Sequence, residues 1–325
     1  MNMLETRYGT LSGISNSMTY PDGSVQSCIL EAENRIQTSV GELIPQYRVA
    51  ELGERQKKYR SSLGFFENGQ IKSASLDRAM PLQTPLGIFE AELVTFYDTG
   101  AMNRLFPLNG QVDGYWSEKK EGEMAKVLDF DLPVGKFSAK IISLHFYRSG
   151  ALKSLTLWPG QRITLATPVG PMRVRTGFSL YEDGALRSVE PFVAVELATP
   201  VGRVKAFDAE MLGMNADQNS IQFSPTGTLT SVKTIHTGLL VTSAARVTTI
   251  IEPLETTSLI DITEMRTVPM QISFTESMVT VIAKDTHRFD RANHTFETFE
   301  REQVIRESCS SCSGCDGGDS CSHDG

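Results

Sequence analysis

Tyr147-Arg148-Ser149-Gly150-Ala151-Leu152-Lys153-Ser154 decides the fold class of this chain. An aromatic residue leads into a tight turn ending in glycine, then come an apolar residue and a small polar one. Ser-Gly between alternating apolar runs is a hairpin signal, because glycine supplies the positive φ that such turns use. Leu144 and Phe146 fall two apart before the turn, and Gly150, Leu152 and Ser154 do so after it. Residues two apart share one face of a strand. The stretch is therefore expected to be a β-hairpin, with Leu152 and Ser154 on a common face.

The phrase recurs at residues 20–27, 66–73, 97–104 and 181–188. A last copy, Phe223 to Ser231, reads as one residue longer. A second phrase alternates with it: Thr84-Pro85-Leu86-Gly87, Thr167-Pro168-Val169-Gly170 and Thr199-Pro200-Val201-Gly202. Looser copies are Thr38-Ser39-Val40-Gly41 and Leu132-Pro133-Val134-Gly135. Proline second and glycine fourth is a β-turn signature. The unit is thus hairpin turn, strand, Thr-Pro turn, strand. Gly69 to Gly87 and Gly184 to Gly202 span the same 18 residues.

Units of roughly 30 to 50 residues that cannot bury a face alone stack on their neighbours. The expected fold is all-β: an elongated repeat array, a β-meander or solenoid of hairpins, with a closed propeller as the alternative. Three regions are expected. Residues 1–240 form the array, 241–305 a C-terminal β module or cap, and 306–325 a flexible Cys-rich tail. In 241–305 the strand-like runs are 246–251, 258–262, 271–274 and 278–283, the last two joined by a hairpin at Thr275-Glu276-Ser277.

The net charge of −8 and the absence of a basic cluster argue against a nucleic-acid partner. Apolar stretches are strand-length, so no membrane span is expected. The first thirteen residues lack the apolar core of a secretory signal, which places the chain in the cytoplasm with its five cysteines as thiols or metal ligands. Cys28, inside a strand, reads as a small buried hydrophobe. Residues 50–61 read as a solvated loop or single helical turn, with an exposed charge run. Residues 104–135 read as an insertion holding a charged loop over 117–126. Beside that loop, Tyr115 and Trp116 are the aromatic candidates for a contact surface, or else core residues.

The tail concentrates ligand chemistry. Cys309, Cys312, Cys315, Cys321 and His323 lie within fifteen residues. Their spacing resembles the cysteine run of bacterial ferredoxins, without its following proline and with a longer last interval. Such a set offers soft ligands for zinc or an iron–sulfur cluster, and a disordered low-complexity tail is the alternative reading. Elsewhere the catalytic inventory is thin. His145 reads as a structural strand histidine, and His287 and His294 match no metal template. Asp129 and Asp131 share a strand face and read as a solvated edge rather than a paired-carboxylate site.

The phrase aromatic-x-x-Gly-x-Leu-x-Ser, between Tyr20 and Ser231, resembles the divergent branch of MORN-type repeats. It lacks the second glycine of ordinary copies, and the Thr-Pro-Val-Gly phrase lies outside that pattern. The resemblance implies a hairpin array used for protein or lipid contact, without catalysis. The expected function is a non-catalytic interaction scaffold with a protein partner. The alternatives are a metal or redox protein centred on the tail and, last, an enzyme with a site in the insertion.

Overall fold

The computed structural model describes residues 3–48, 61–110, 118–209, 216–257 and 265–301. Strands hold 61% of these residues and helix 2%. They are organised on one open, 16-stranded antiparallel sheet in which neighbours follow chain order, from strand Ile14–Thr19 at one end to Thr286–Asp290 at the other. The sheet does not stop at residue 240: Met270–Phe274, Met278–Ile282 and Thr286–Asp290 continue it.

Each aromatic turn is built the same way. In the copy at 147, the Gly150 N–H donates to the Tyr147 carbonyl at 2.9 Å, and the Tyr147 N–H donates to the Ala151 carbonyl at 2.8 Å. This is a type I turn closed by a left-handed glycine, Gly150 having φ +91°. The last copy corrects the reading of an extra residue. Gly227 donates to Ser224 and Ser224 to Thr228, so Ser224 occupies the aromatic position and the copy has the common length.

A second correction concerns the faces. Phe146 pairs with Leu152 but His145 pairs with Ser154, leaving Lys153 as a bulge. The same shift leaves out Gln26, Lys72, Asn103, Arg187 and Thr230 in the other five copies. One extra residue inverts the parity of a strand. Leu152 therefore sits on the Phe146 face, and Ser154 sits on the opposite one with His145.

Two adjacent rows then cross the whole sheet. One runs Ser17, Cys28, Leu63, Ala74, Val94, Leu105, Leu144, Leu155, Phe178, Val189, Ile221, Val232, Ile272, Val281, His287. From Cys28 to Val281 every member is buried. The next row, on the other face, runs Met18, Ser27, Gly64, Ser73, Thr95, Arg104, His145, Ser154, Ser179, Ser188, Gln222, Ser231, Ser273, Thr280, Arg288. The sheet is apolar on one side and hydroxyl-lined on the other. Cys28 lies in the apolar row, and burial pushes its thiol up to about 11, as its reading as a core residue requires.

The Thr-Pro phrases form the tips of a second layer over the apolar face. Thr84 and Gly87, Thr167 and Gly170, and Thr199 and Gly202 are paired across the two intervening residues. In each tip the threonine hydroxyl donates to the glycine carbonyl. Thr6-Arg7-Tyr8-Gly9 makes the same tip and was not evident from the phrase, because Tyr8 stands where the other copies have leucine or valine. The core joins the two layers through tip residues such as Leu43, Leu82, Phe130, Leu165 and Leu197. Pro85, Pro133 and Pro168 rest against Gly150, Gly184 and Gly227, each the aromatic turn two copies further along. At the tip 199–202, Thr298 packs against Gly202 itself. Thr298 lies in the three-stranded sheet of Thr237–Ser243, Thr248–Ile251 and His294–Glu300.

Strand Gly170–Leu180 passes between layers at Thr176 (φ 62°) and Gly177 (φ 138°). A Cβ on Gly177 would lie 2.0 Å from the Leu155 carbonyl oxygen, so only glycine fits that crossing. The stretch at 117–126, expected as a loop, contains the helix Glu118–Met124. Gly122 admits the Trp158 indole against it, and Lys140 Nζ donates to the Gly122 carbonyl at 2.6 Å.

Candidate functional site

The hydroxyl-lined face gathers polar chemistry from distant parts of the chain. Asp217 Oδ1 accepts from His145 Nδ1 at 2.9 Å and from Ser154 Oγ at 2.5 Å. Its Oδ2 pairs with Arg104 Nη2 at 2.7 Å. Arg104, His145 and Ser154 are consecutive members of the row, so one carboxylate bridges three adjacent strands. Burial works to raise the Asp217 pKa, but the hydrogen bonds from His145 and Ser154 and the charge of Arg104 outweigh it and hold the group below the usual carboxylate range. Burial lowers the pKa of His145 against the opposing effect of its hydrogen bond to Asp217. The Nε2 of His145 faces the Tyr97 hydroxyl at 3.5 Å, and that hydroxyl donates instead to the Phe146 carbonyl at 2.8 Å. With His145 only 6% exposed, the dyad turns inward. It fastens residues 216–220 to the sheet, as expected of a structural histidine.

The same segment is held further along the row. Asn219 Nδ2 donates to Ser188 Oγ at 2.8 Å, and the Ala216 N–H donates to Thr156 Oγ1 at 3.3 Å. Glu190, fully buried, accepts from the Ser220 N–H at 2.8 Å and from the Asp208 N–H at 3.4 Å. Both flanks of the segment thus converge on one carboxyl, which burial pushes up to about 6. Asn109 does a related job upstream, donating to Ser75 Oγ at 2.7 Å.

The turn edge carries a ladder. The hydroxyls of Tyr20, Tyr97, Tyr147 and Tyr181 donate to the carbonyls of Phe65, Phe146, Leu180 and Phe223, each the residue just before the next turn of the series. Bulge cations cover the rings: Lys72 over Phe66, Lys153 over Tyr147 and Arg187 over Tyr181, at 5.6–5.7 Å.

The two ends of the sheet differ in chemistry. Strand Ile14–Thr19 is exposed over Ser15 to Thr19 and holds no charge or proline. Strand Thr286–Asp290 holds His287, Arg288 and Asp290, flanked by Lys284, Asp285 and Arg291. Between the tips at 6–9 and 38–41 and the turns at 66–69 and 97–100 lies a cleft of about 300 Å³, with Arg7, Gln70 and Thr99 on its wall.

Cys309, Cys312, Cys315, Cys321 and His323 lie outside the described residues, as do Tyr115 and Trp116. Among the described residues no group of three metal-capable side chains converges. Asp129 meets Ser138 and Asp131 pairs with Lys136 at 2.6 Å, both on an exposed hairpin. His287 and His294 flank Phe289, at centroid distances of 6.0 and 5.2 Å. No helix among the described residues is long and apolar enough to cross a membrane. The Asp217 bridge and the bare end strand were missed from sequence. The first carries no local signal, whereas the second is legible as six residues without charge. No family model, curated protein or solved structure matches the chain.

Proposed function

We propose that this protein is a non-catalytic interaction scaffold that binds a protein partner by strand addition along Ile14–Thr19. One observation carries the reading: among the described residues no strand pairs with the outer edge of Ile14–Thr19, which holds no charge, while the opposite end is charged. An uncharged open edge is a template for another strand, and proteins that avoid pairing blunt such edges with charge or proline. The inward-facing His145–Asp217 dyad supports a structural rather than a catalytic use of the polar face. The implied resemblance to MORN-type repeats points the same way.

The test places a photo-crosslinking residue at Met18 and, as a control, at Ile282, both exposed in the folded chain. Protein adducts from position 18 and none from position 282 are expected. Adducts from neither, or equally from both, defeat the reading.

A second reading puts function in the tail, favoured by the spacing of Cys309, Cys312, Cys315, Cys321 and His323. Metal analysis of protein purified without oxygen, full-length beside a version ending at Glu307, decides it. Zinc or an iron–sulfur absorption band travelling only with the full chain supports it, and metal-free protein in both removes it.

A further inference from the structure

We infer that the partner at the Ile14–Thr19 edge seats a β-hairpin tip on Gly23, and that this tip is a four-residue turn of the Thr-Pro-x-Gly class carried by a different protein. This inference rests on the edge-binding reading and names the part of the partner that is held.

Five of the six aromatic turns already hold a tip of the second layer. A Cβ on Gly69 would meet Arg7 Cδ at 3.9 Å, and one on Gly150, Gly184 or Gly227 would meet Pro85, Pro133 or Pro168 at 3.2–3.3 Å. At the fifth, Ser39 Oγ donates to the Gly100 carbonyl at 2.8 Å. In each case the second residue of a tip rests on the glycine of a turn. The turn at 20–23 departs from this rule. Among the described residues nothing lies within 4 Å of a Cβ on Gly23. Gly23 is exposed, whereas the other five turn glycines are half-buried. Val25 is half-buried, whereas its counterparts Ile71, Met102, Leu152 and Leu186 are buried and Leu229 alone is not. A cleft of about 430 Å³ opens here, with Leu4, Val25 and Phe65 on its wall and one charge of each sign, Glu5 and Arg7.

The filled seats state what fits. Three of their occupants present proline and one presents serine. Proline presets the φ of the turn and lays an apolar ring on a glycine that has no side chain to obstruct it. The empty seat follows Thr19 directly, so a partner strand added along Ile14–Thr19 runs beside it. Backbone pairing at such an edge supplies affinity, and a neighbouring pocket supplies specificity. A second copy of the chain has no tip to lend. Those at 6–9, 38–41, 84–87, 132–135 and 167–170 sit on their own turns, and 199–202 packs against Thr298 through Gly202. The occupant is therefore a foreign hairpin.

The probe is a backbone-cyclised peptide of residues 163–174, which carries Thr167-Pro168-Val169-Gly170 and whose ends Ile163 and Val174 face one another in the fold. Fluorescence anisotropy with the full chain in reductant should show saturable binding, weakened about tenfold or more by Gly23→Lys in the chain or Pro168→Asp in the peptide. Gly160→Lys is the control and should bind as the native chain does. It too replaces an exposed left-handed glycine in open space, at φ +80° against +86°. A photo-crosslinker at Ser24 should trap the same protein as one at Met18, at a turn between two strands of that protein. The inference is overturned by binding indifferent to Gly23→Lys, by Ser24 adducts outside such a turn, or by silence of both probes. A chain dimer that Gly23→Lys abolishes also overturns it, because the seat then belongs to a second copy. If position 18 crosslinks to a protein while the peptide and position 24 stay silent, this inference fails and the edge-binding reading stands. Peptide binding lost in Gly23→Lys, with no adduct at position 18, keeps the seat and defeats the edge-binding reading alone.

Discussion

The Tyr147 hydroxyl donates a 2.9 Å hydrogen bond to the carbonyl of Leu180, the residue just before the next aromatic of the series. The same bond recurs from Tyr181 to Phe223. It ties each turn to its neighbour at the rim, where strands diverge from the core. A part-buried bond of this kind contributes about 1 kcal/mol. Tyr147→Phe is expected to lower stability by about that amount in urea denaturation, with an unchanged m-value. Phe66 is the ladder member without a hydroxyl, so Phe66→Tyr is expected to leave the fold intact and raise the urea midpoint.

The Lys153 bulge sets which residues are inside. Deleting Lys153 would leave Leu152 opposite Phe146 and Ser154 opposite His145 in simple alternation and keep the faces. Inserting one alanine after Lys153 would instead turn Ser154 and Thr156 toward the apolar layer while Leu155 and Leu157 turn toward the polar one. A one-residue slip exchanges the two faces, and unpaired hydroxyls in a core cost about 1–3 kcal/mol each. The insertion is expected to abolish the cooperative transition seen by near-ultraviolet circular dichroism, and the deletion is expected to retain it. Lys153→Ala keeps the register and should cost only the cation–ring contact, under about 1 kcal/mol.

Asp217→Asn leaves Arg104 without its counter-charge and weakens the grip on residues 216–220. Breaking a partly buried pair on one side costs about 2–3 kcal/mol. The folded pKa of Asp217 is depressed, so its contribution is present above the unfolded value near 3.8 and is lost as pH falls through the lower folded one. The native chain should therefore lose stability steeply below about pH 4, and Asp217→Asn should flatten that limb. Chemical denaturation across pH 2–5 reads both slopes.

Glu190 has the opposite sign. Burial raises its pKa to about 6, so its contribution is full below the unfolded value of 4.5 and is lost as pH rises through about 6. The loss is about 2 kcal/mol. Glu190→Gln should sit lower at acid pH, since an amide cannot accept from both the Asp208 and Ser220 N–H groups. It should lose the Glu190 share of the fall between pH 4.5 and 6. Amide hydrogen exchange at Ser220 should rise in the variant.

The sequence by itself determined the hairpins, their turns and their alternation. Asn-Gly, Asp-Gly, Thr-Pro-x-Gly and the period of two are local signals, set by steric limits on φ within four residues. Cys28 and His145 were legible as buried strand residues for the same reason, and so was the hairpin at 275–277, where the Thr275 N–H donates to Met278. The faces were not legible, because the bulge at Lys153 leaves no mark in the composition of its own strand. It exists only against a partner strand, as a count of residues on each side. The order of the tips was equally hidden. Pro85 meets Gly150 across 65 positions because each tip reaches the aromatic turn two copies further along the sheet. Asp217 finds Arg104 and His145 for a reason no window of sequence contains: both stand in one transverse row, and a distant segment crosses that row beside the part-buried Arg104. Local chemistry fixed the pieces here, and tertiary register alone decided which faces met.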